Sequence, residues 1–298
     1  MKLDELLNHA AAKWPHKSAL IFPDSELTFS GLQANAERKA RSLIGAGVRP
    51  GDHVGILSLN VPEYIESIFA ISMVGGTAVP LNARYRGAEL RHVISNSDIR
   101  LLFTTSQFKD RANFCEQLAE SYPSLAASTD PFSLQIEDAP LLKSIVLFEP
   151  AEKPGFVSSA NFDALGQDLS DKEIIEASES TGLESSCLMI YTSGTTSLPK
   201  GCRLSHSAFV RNAAAQKHRF VIVADDCLWD PLPFFHISSL LPMVACLWAG
   251  ATYATDKYFD ADRAIEQIYD LNPTILFPAF PAVMGDLLSH ERFQAERM

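Results

Sequence analysis

The strongest constraint on this chain is a repeated alternation of short apolar runs with amphipathic stretches of crossover length. Residues 53–57, 77–80 and 101–104 read as strands, and residues 62–74 and 88–95 between them read as helices. Parallel strands cannot be joined by a tight turn, so each connection needs a helix long enough to return the chain to the starting edge. The predicted fold class is therefore α/β, with mostly parallel sheets flanked by helices. A helix over 111–121 and a strand over 144–148 continue the pattern. After Leu204 come a helix at 205–218, a strand around 227–231 and a buried helix from Ile237. A strand at Ala251, a helix at 261–271, a strand at 274–277 and a helix at 281–289 complete it. Residues 20–22 and 27–29 flank Pro23-Asp24-Ser25 and read as a β-hairpin, with Ser30 as the cap of a helix that ends near Gly47. The polar stretch 149–186 reads as surface loops with one short helix.

Composition narrows the function classes. With Lys+Arg 25 against Asp+Glu 36, a net charge of -11 opposes any phosphate backbone, so nucleic acid is excluded as a partner. Cys115, Cys187, Cys202, Cys227 and Cys246 are odd in number and scattered, without a C-x-x-C pair, which reads as reduced thiols in a cytoplasmic protein. Asp4 and Glu5 interrupt the N-terminal stretch, which reads as a surface helix and not a secretory signal. Residues 237–255 carry no charge, but Pro242 and Gly250 divide them. They read as a buried helix followed by a buried strand, with no transmembrane segment expected.

The chemistry concentrates in Ile190-Tyr191-Thr192-Ser193-Gly194-Thr195-Thr196-Ser197-Leu198-Pro199-Lys200-Gly201, directly after the apolar run 187–191. A loop at a strand end is where α/β proteins bind ligands. Small residues let backbone N–H groups approach an anion, hydroxyls add neutral donors, and Lys200 adds a positive charge. An exposed Ser/Thr/Gly loop has a similar composition. A Walker-type loop is ruled out: Pro199 stands where its second glycine belongs, and Gly201 follows Lys200 in place of Ser or Thr.

Read as a whole, Tyr191-Thr192-Ser193-Gly194-Thr195-Thr196-Ser197-Leu198-Pro199-Lys200-Gly201 resembles the phosphate-binding signature of the adenylate-forming superfamily, which holds acyl-CoA synthetases, adenylation domains and luciferases. The resemblance implies that Thr192, Ser193, Gly194, Thr195, Thr196, Ser197 and Lys200 hold the ATP phosphates, with Thr196 also beside Mg²⁺. Ser197 departs from the family's usual glycine and brings an additional hydroxyl. Asp230-Pro231-Leu232-Pro233-Phe234-Phe235-His236 is similar to the family's acyl-pocket segment, which implies that Phe235 and His236 border the acid substrate. Weaker likenesses lie at Gly51-Asp52-His53-Val54, Asn60-Val61-Pro62-Glu63, Val79-Pro80-Leu81-Asn82 and Phe280-Pro281-Ala282-Val283; Arg84 and Arg86 read as solvated surface.

The implied reaction is ATP-dependent activation of a small carboxylic acid to an acyl-adenylate, then thioester formation with coenzyme A. The same resemblance implies a Tyr-Gly-x-Thr-Glu segment, a ribose-binding aspartate and a C-terminal domain with a catalytic lysine, none of which lies within these 298 residues. Residues 1–298 are therefore expected to form an incomplete N-terminal AMP-binding domain of two α/β sub-sheets, with the phosphate loop at 191–201, inactive by itself. No catalytic residue is singled out, and self-association is left open. The alternative is a non-catalytic phosphate- or acyl-binding module, or a subunit completed by another chain.

Overall fold

In a computed structural model, residues 1–108, 112–192 and 198–297 are described. They separate into two compact units. The first comprises Met1–Asp4, Ala34–Ser58 and Glu63–Ala208; the second comprises Glu5–Gln33, Leu59–Pro62 and Phe209–Met298.

The first unit is built on a six-stranded sheet in the order Lys200–Ser205, Ser186–Thr192, Thr77–Pro80, His53–Leu57, Ile99–Thr104, Ser144–Leu147. Every pairing is parallel except the edge pair of Lys200–Ser205 with Ser186–Thr192. Thr77–Pro80 and Ser144–Leu147 are buried along their whole length, as befits strands covered on both faces. The helix Pro62–Met73 is buried at every position from Tyr64 to Met73. Its Glu66 carboxylate lies 3.7 Å from the Lys39 ammonium, which stands 4.8 Å from the Phe148 ring centre and 5.3 Å from that of Phe103. Burial lowers the Lys39 pKa from its ordinary value, against the opposing pull of Glu66.

The second unit holds a five-stranded sheet in the order Ile275–Leu276, Cys227–Trp229, Thr252–Ala254, Ser18–Phe22, Ser25–Thr28, parallel except for the terminal hairpin. Trp229, Ala254, Ile265, Ile268 and Leu287 form one of its buried clusters. The indole Nε1 of Trp229 donates to Gln267 Oε1 at 2.8 Å, so the ring is buried without an orphaned donor. The uncharged helix is Ile237–Ala249; it stops at Gly250 in the left-handed region (φ 77°) and leads to the buried strand Thr252–Ala254. Among the described residues no helix is long and apolar enough to cross a membrane.

Some local expectations need correction. The second helix spans Phe29–Gly45, and its cap is Thr28, whose Oγ1 accepts from Gly31 N at 3.0 Å. Ser30 already lies within the helix and turns its hydroxyl to Pro15 O at 2.7 Å. The stretch 149–186 contains two helices, Ser159–Ala164 and Asp171–Glu179, the second closed by a Ser170/Glu173 capping box. The helix expected from residue 111 starts at Phe114, capped by Asn113. The strand expected over 227–231 ends at Trp229, because Pro231 cannot continue a ladder.

Candidate functional site

The strand Ser186–Thr192 is buried from Cys187 to Ile190 and emerges at Thr192, at the C-terminal end of a strand parallel to Thr77–Pro80. The chain returns antiparallel, with Lys200 opposite Thr192 and Gly201 opposite Tyr191. Thr192 and Lys200, both exposed, thus face each other across the mouth of the loop. Ser193, Gly194, Thr195, Thr196 and Ser197 lie outside the described residues. Gly201 makes the close return feasible: a Cβ there would sit 3.0 Å from Met189 Sδ and 3.1 Å from the Tyr191 ring.

Both ends of the loop are tied to the helix Gly87–Asn96. Tyr191 donates its hydroxyl to Asn96 Oδ1 at 2.8 Å, and His92 Nε2 lies 3.0 Å from the Pro199 carbonyl oxygen. A carbonyl only accepts, so Nε2 carries the proton in that contact. His92 and Asn96 are four positions apart on a helix, hence on one face. That spacing was readable in advance; their target was not.

The second predicted segment follows the strand Cys227–Trp229. Phe235 is buried, and half-buried His236 is the N-cap of Ile237–Ala249, its carbonyl accepting from Ser239 N at 3.1 Å. The two rings stand 4.5 Å apart at 54°. His236 therefore sits at a helix start, seven residues beyond the strand.

The turn between strand and helix is held from two sides. Asp230 Oδ1 accepts from Leu232 N at 2.8 Å, and its Oδ2 lies 2.8 Å from the Tyr253 hydroxyl. That hydroxyl is 2.9 Å from Ser239 Oγ, which is 3.2 Å from the Leu232 carbonyl. On the other side Asn60 Nδ2 donates to the Leu232 carbonyl at 2.9 Å, and Asn60 Oδ1 accepts from Phe234 N at 2.8 Å. Burial raises the Asp230 carboxyl to about 7, against hydrogen bonds from Leu232, Tyr253 and Ser239 that lower it. Asn60, Ser239 and Tyr253 were not anticipated in this role. They come from three separate stretches of chain, and nothing local announces the convergence.

Among the described residues no group of three or more His, Cys, Asp or Glu side chains could hold a metal ion.

An α/β protein with mainly parallel sheets and a hydroxyl-rich strand-end loop is the class that these features define. Within that class the profile of the AMP-binding enzymes matches residues 7–298, and the chain belongs to this family, the adenylate-forming superfamily. Indoleacetate–CoA ligase of Aromatoleum aromaticum is 30% identical over 94% of the chain and 50% of its own length. Feruloyl-CoA synthase of an Amycolatopsis species is 27% identical over 94% of the chain and 49% of its own length. The chain spans about half the length of the curated relatives that it matches. Among solved structures, a fatty acyl-CoA synthetase of Mycobacterium tuberculosis superposes with a TM-score of 0.76 at 21% identity, over 100% of this chain and 53% of that one. An o-succinylbenzoate CoA synthetase of Bacillus subtilis in complex with its acyl-adenylate intermediate gives 0.74 at 23% identity, over 98% of this chain and 66% of that one. These likenesses carry the fold.

Proposed function

We propose that this chain supplies the phosphate grip and part of the acid-binding wall of an enzyme that activates a carboxylic acid with ATP and passes the acyl group to coenzyme A. The observation that carries the reading is the pairing of exposed Thr192 and Lys200 across the mouth of the hydroxyl- and glycine-rich loop, at the C-terminal end of a buried strand. A loop so anchored offers backbone N–H groups, hydroxyls and one ammonium to a polyphosphate. In the proposed reaction a carboxylate oxygen attacks the α-phosphorus while the bond to the β-phosphate oxygen breaks, and pyrophosphate leaves. The thiol sulfur of coenzyme A then attacks the acyl carbon and AMP leaves. Thr192, Ser193, Gly194, Thr195, Thr196, Ser197 and Lys200 would neutralise the departing charge, with Mg²⁺ near Thr196 arriving with the nucleotide. Phe235 and His236 would border the acid. The names of the relatives, an indoleacetate ligase and a feruloyl synthase, favour an aromatic or acyl carboxylic acid as the substrate class.

The five free cysteines suit a reducing compartment, and the cytoplasm is the proposed location. The 298 residues alone are expected to hold ATP or pyrophosphate at roughly millimolar strength, about 4 kcal/mol, because an exposed cation such as Lys200 gains little from each charged contact. They are expected to form no thioester. Calorimetry with pyrophosphate and ATP tests this. Lys200→Ala should weaken both ligands several-fold, and an unchanged affinity in that variant would remove the phosphate role. Pyrophosphate exchange against a panel of acids identifies the substrate; thioester formation by the 298 residues alone would overturn the expected dependence on further parts.

A further inference from the structure

The turn that carries Phe235 and His236 contains three successive oxygen–oxygen contacts. They run from Asp230 Oδ2 to the Tyr253 hydroxyl (2.8 Å), on to Ser239 Oγ (2.9 Å), and on to the Leu232 carbonyl (3.2 Å). Each contact needs one hydrogen. Tyr253 and Ser239 bring one each, and a carbonyl brings none. Along these three contacts, with Asp230 ionised, two hydrogens must serve three pairs and one pair of oxygens faces each other bare; the Tyr253 and Ser239 hydroxyls favour the anion, and burial outweighs them. Asp230, Ser239 and Tyr253 are all fully buried, so water cannot repair the deficit from outside.

We propose that Asp230 stands as a neutral carboxylic acid at the head of a one-directional relay, Asp230 to Tyr253 to Ser239 to the Leu232 carbonyl, and thereby positions Phe235 and His236. The positioning role rests on the acid-site reading given above. The neutral acid supplies the missing hydrogen from Oδ2, and all three donors then point the same way. Oδ1, without a proton, still accepts from Leu232 N at 2.8 Å. The Leu232 carbonyl receives its second hydrogen from Asn60 at 2.9 Å, which fills both lone pairs. Asn60 also accepts from Phe234 N, so the backbone is pinned at residues 232 and 234, immediately before the two rings.

The charge environment agrees. Among the described residues, the titratable groups that interact with this carboxyl are Tyr253 on the strand Thr252–Ala254, hydrogen-bonded to it, and Cys246 on the helix Ile237–Ala249, which its charge would push up; burial raises both well above their ordinary values. Asp226 and Cys227, at the start of its own strand, act on the same Cys246. None is a cation, and among the described residues no basic side chain contributes to the Asp230 shift. An anion here would be desolvated without a counter-charge, which is costly.

NMR of the 298-residue chain with ¹³Cγ-labelled aspartate tests the relay without any ligand. The resonance that disappears in Asp230→Asn is expected to titrate near neutrality, while exposed aspartates titrate at about pH 4. The amide signals of Leu232, Phe234, Phe235 and His236 should shift with the same midpoint. Asp230→Asn can donate to Tyr253 through its amide and accept from Leu232, so it should hold the low-pH signal positions up to about pH 9. Asp230→Ala should lose them. A carboxyl resonance already in its ionised position at about pH 5 would overturn the relay. A titrating Asp230 with unmoved Phe235 and His236 signals would overturn the positioning role. Binding of benzoate, followed separately by calorimetry, addresses the acid site itself: no binding at any pH would overturn that reading, while the aspartate midpoint alone decides the relay.

Discussion

At the level of single residues, Gly250 illustrates how a legible signal and an illegible reason coincide. A glycine after an apolar helical run reads as a stop, and the left-handed φ of 77° bears it out. A Cβ at that position would also lie 2.4 Å from the indole of Trp14, a contact no local pattern discloses because Trp14 comes from the other end of the chain. Gly250→Ala therefore combines left-handed strain with a steric clash and is expected to cost about 2–4 kcal/mol. Urea unfolding measures it; an unchanged midpoint would mean that Trp14 yields freely. The same contrast holds in the candidate site. Lys200 and Thr192 were recognisable from their own neighbourhood, whereas His92 and Asn60 acquire roles only through the backbone groups they meet.

At the level of elements, the sequence reading of types was better than that of boundaries. Thr28 ends the hairpin strand Ser25–Thr28 and caps the helix Phe29–Gly45 with no residue between them. Reading Ser30 as the cap assumed a gap that the chain does not leave. Thr28→Ala removes the acceptor for Gly31 N and is expected to cost about 1 kcal/mol, while Thr28→Ser should be near neutral. Thermal unfolding of the two variants checks the assignment, and equal effects from both would count against the hydroxyl. The stretch 149–186 discloses less for a different reason: its helices are short and each buries a single side chain, Phe162 and Ile174, so they lack the apolar periodicity that reveals longer ones.

For the molecule as a whole, Asp230 makes stability depend on pH. Its carboxyl is held at about 7 in the folded chain against an ordinary 3.8, so between these values the folded state carries a proton that the unfolded state has lost. The unfolding free energy should then fall as the pH rises through that window, with the stabilising contribution intact below about pH 4 and gone above about pH 7. The span corresponds to roughly 4 kcal/mol at most. Urea titrations at a series of pH values, wild type against Asp230→Asn, isolate this group: the variant should lack the decline, and parallel curves would refute the linkage.

The amino-acid sequence by itself determined the α/β class, the parallel habit of the strands and the position of the hydroxyl-rich segment after a buried strand, because each follows from local periodicity and turn chemistry. Only the tertiary structure decided which strands are neighbours. Thr77–Pro80 lies between His53–Leu57 and Ser186–Thr192, and Ser18–Phe22 pairs with Thr252–Ala254 from far along the chain. Strand neighbours are selected by shared burial and hydrogen-bond register, properties of pairs of distant segments that neither segment carries alone. The buried relay at Asp230 has the same origin: its proton count exists only once Tyr253, Ser239 and Leu232 have been brought around one carboxyl group.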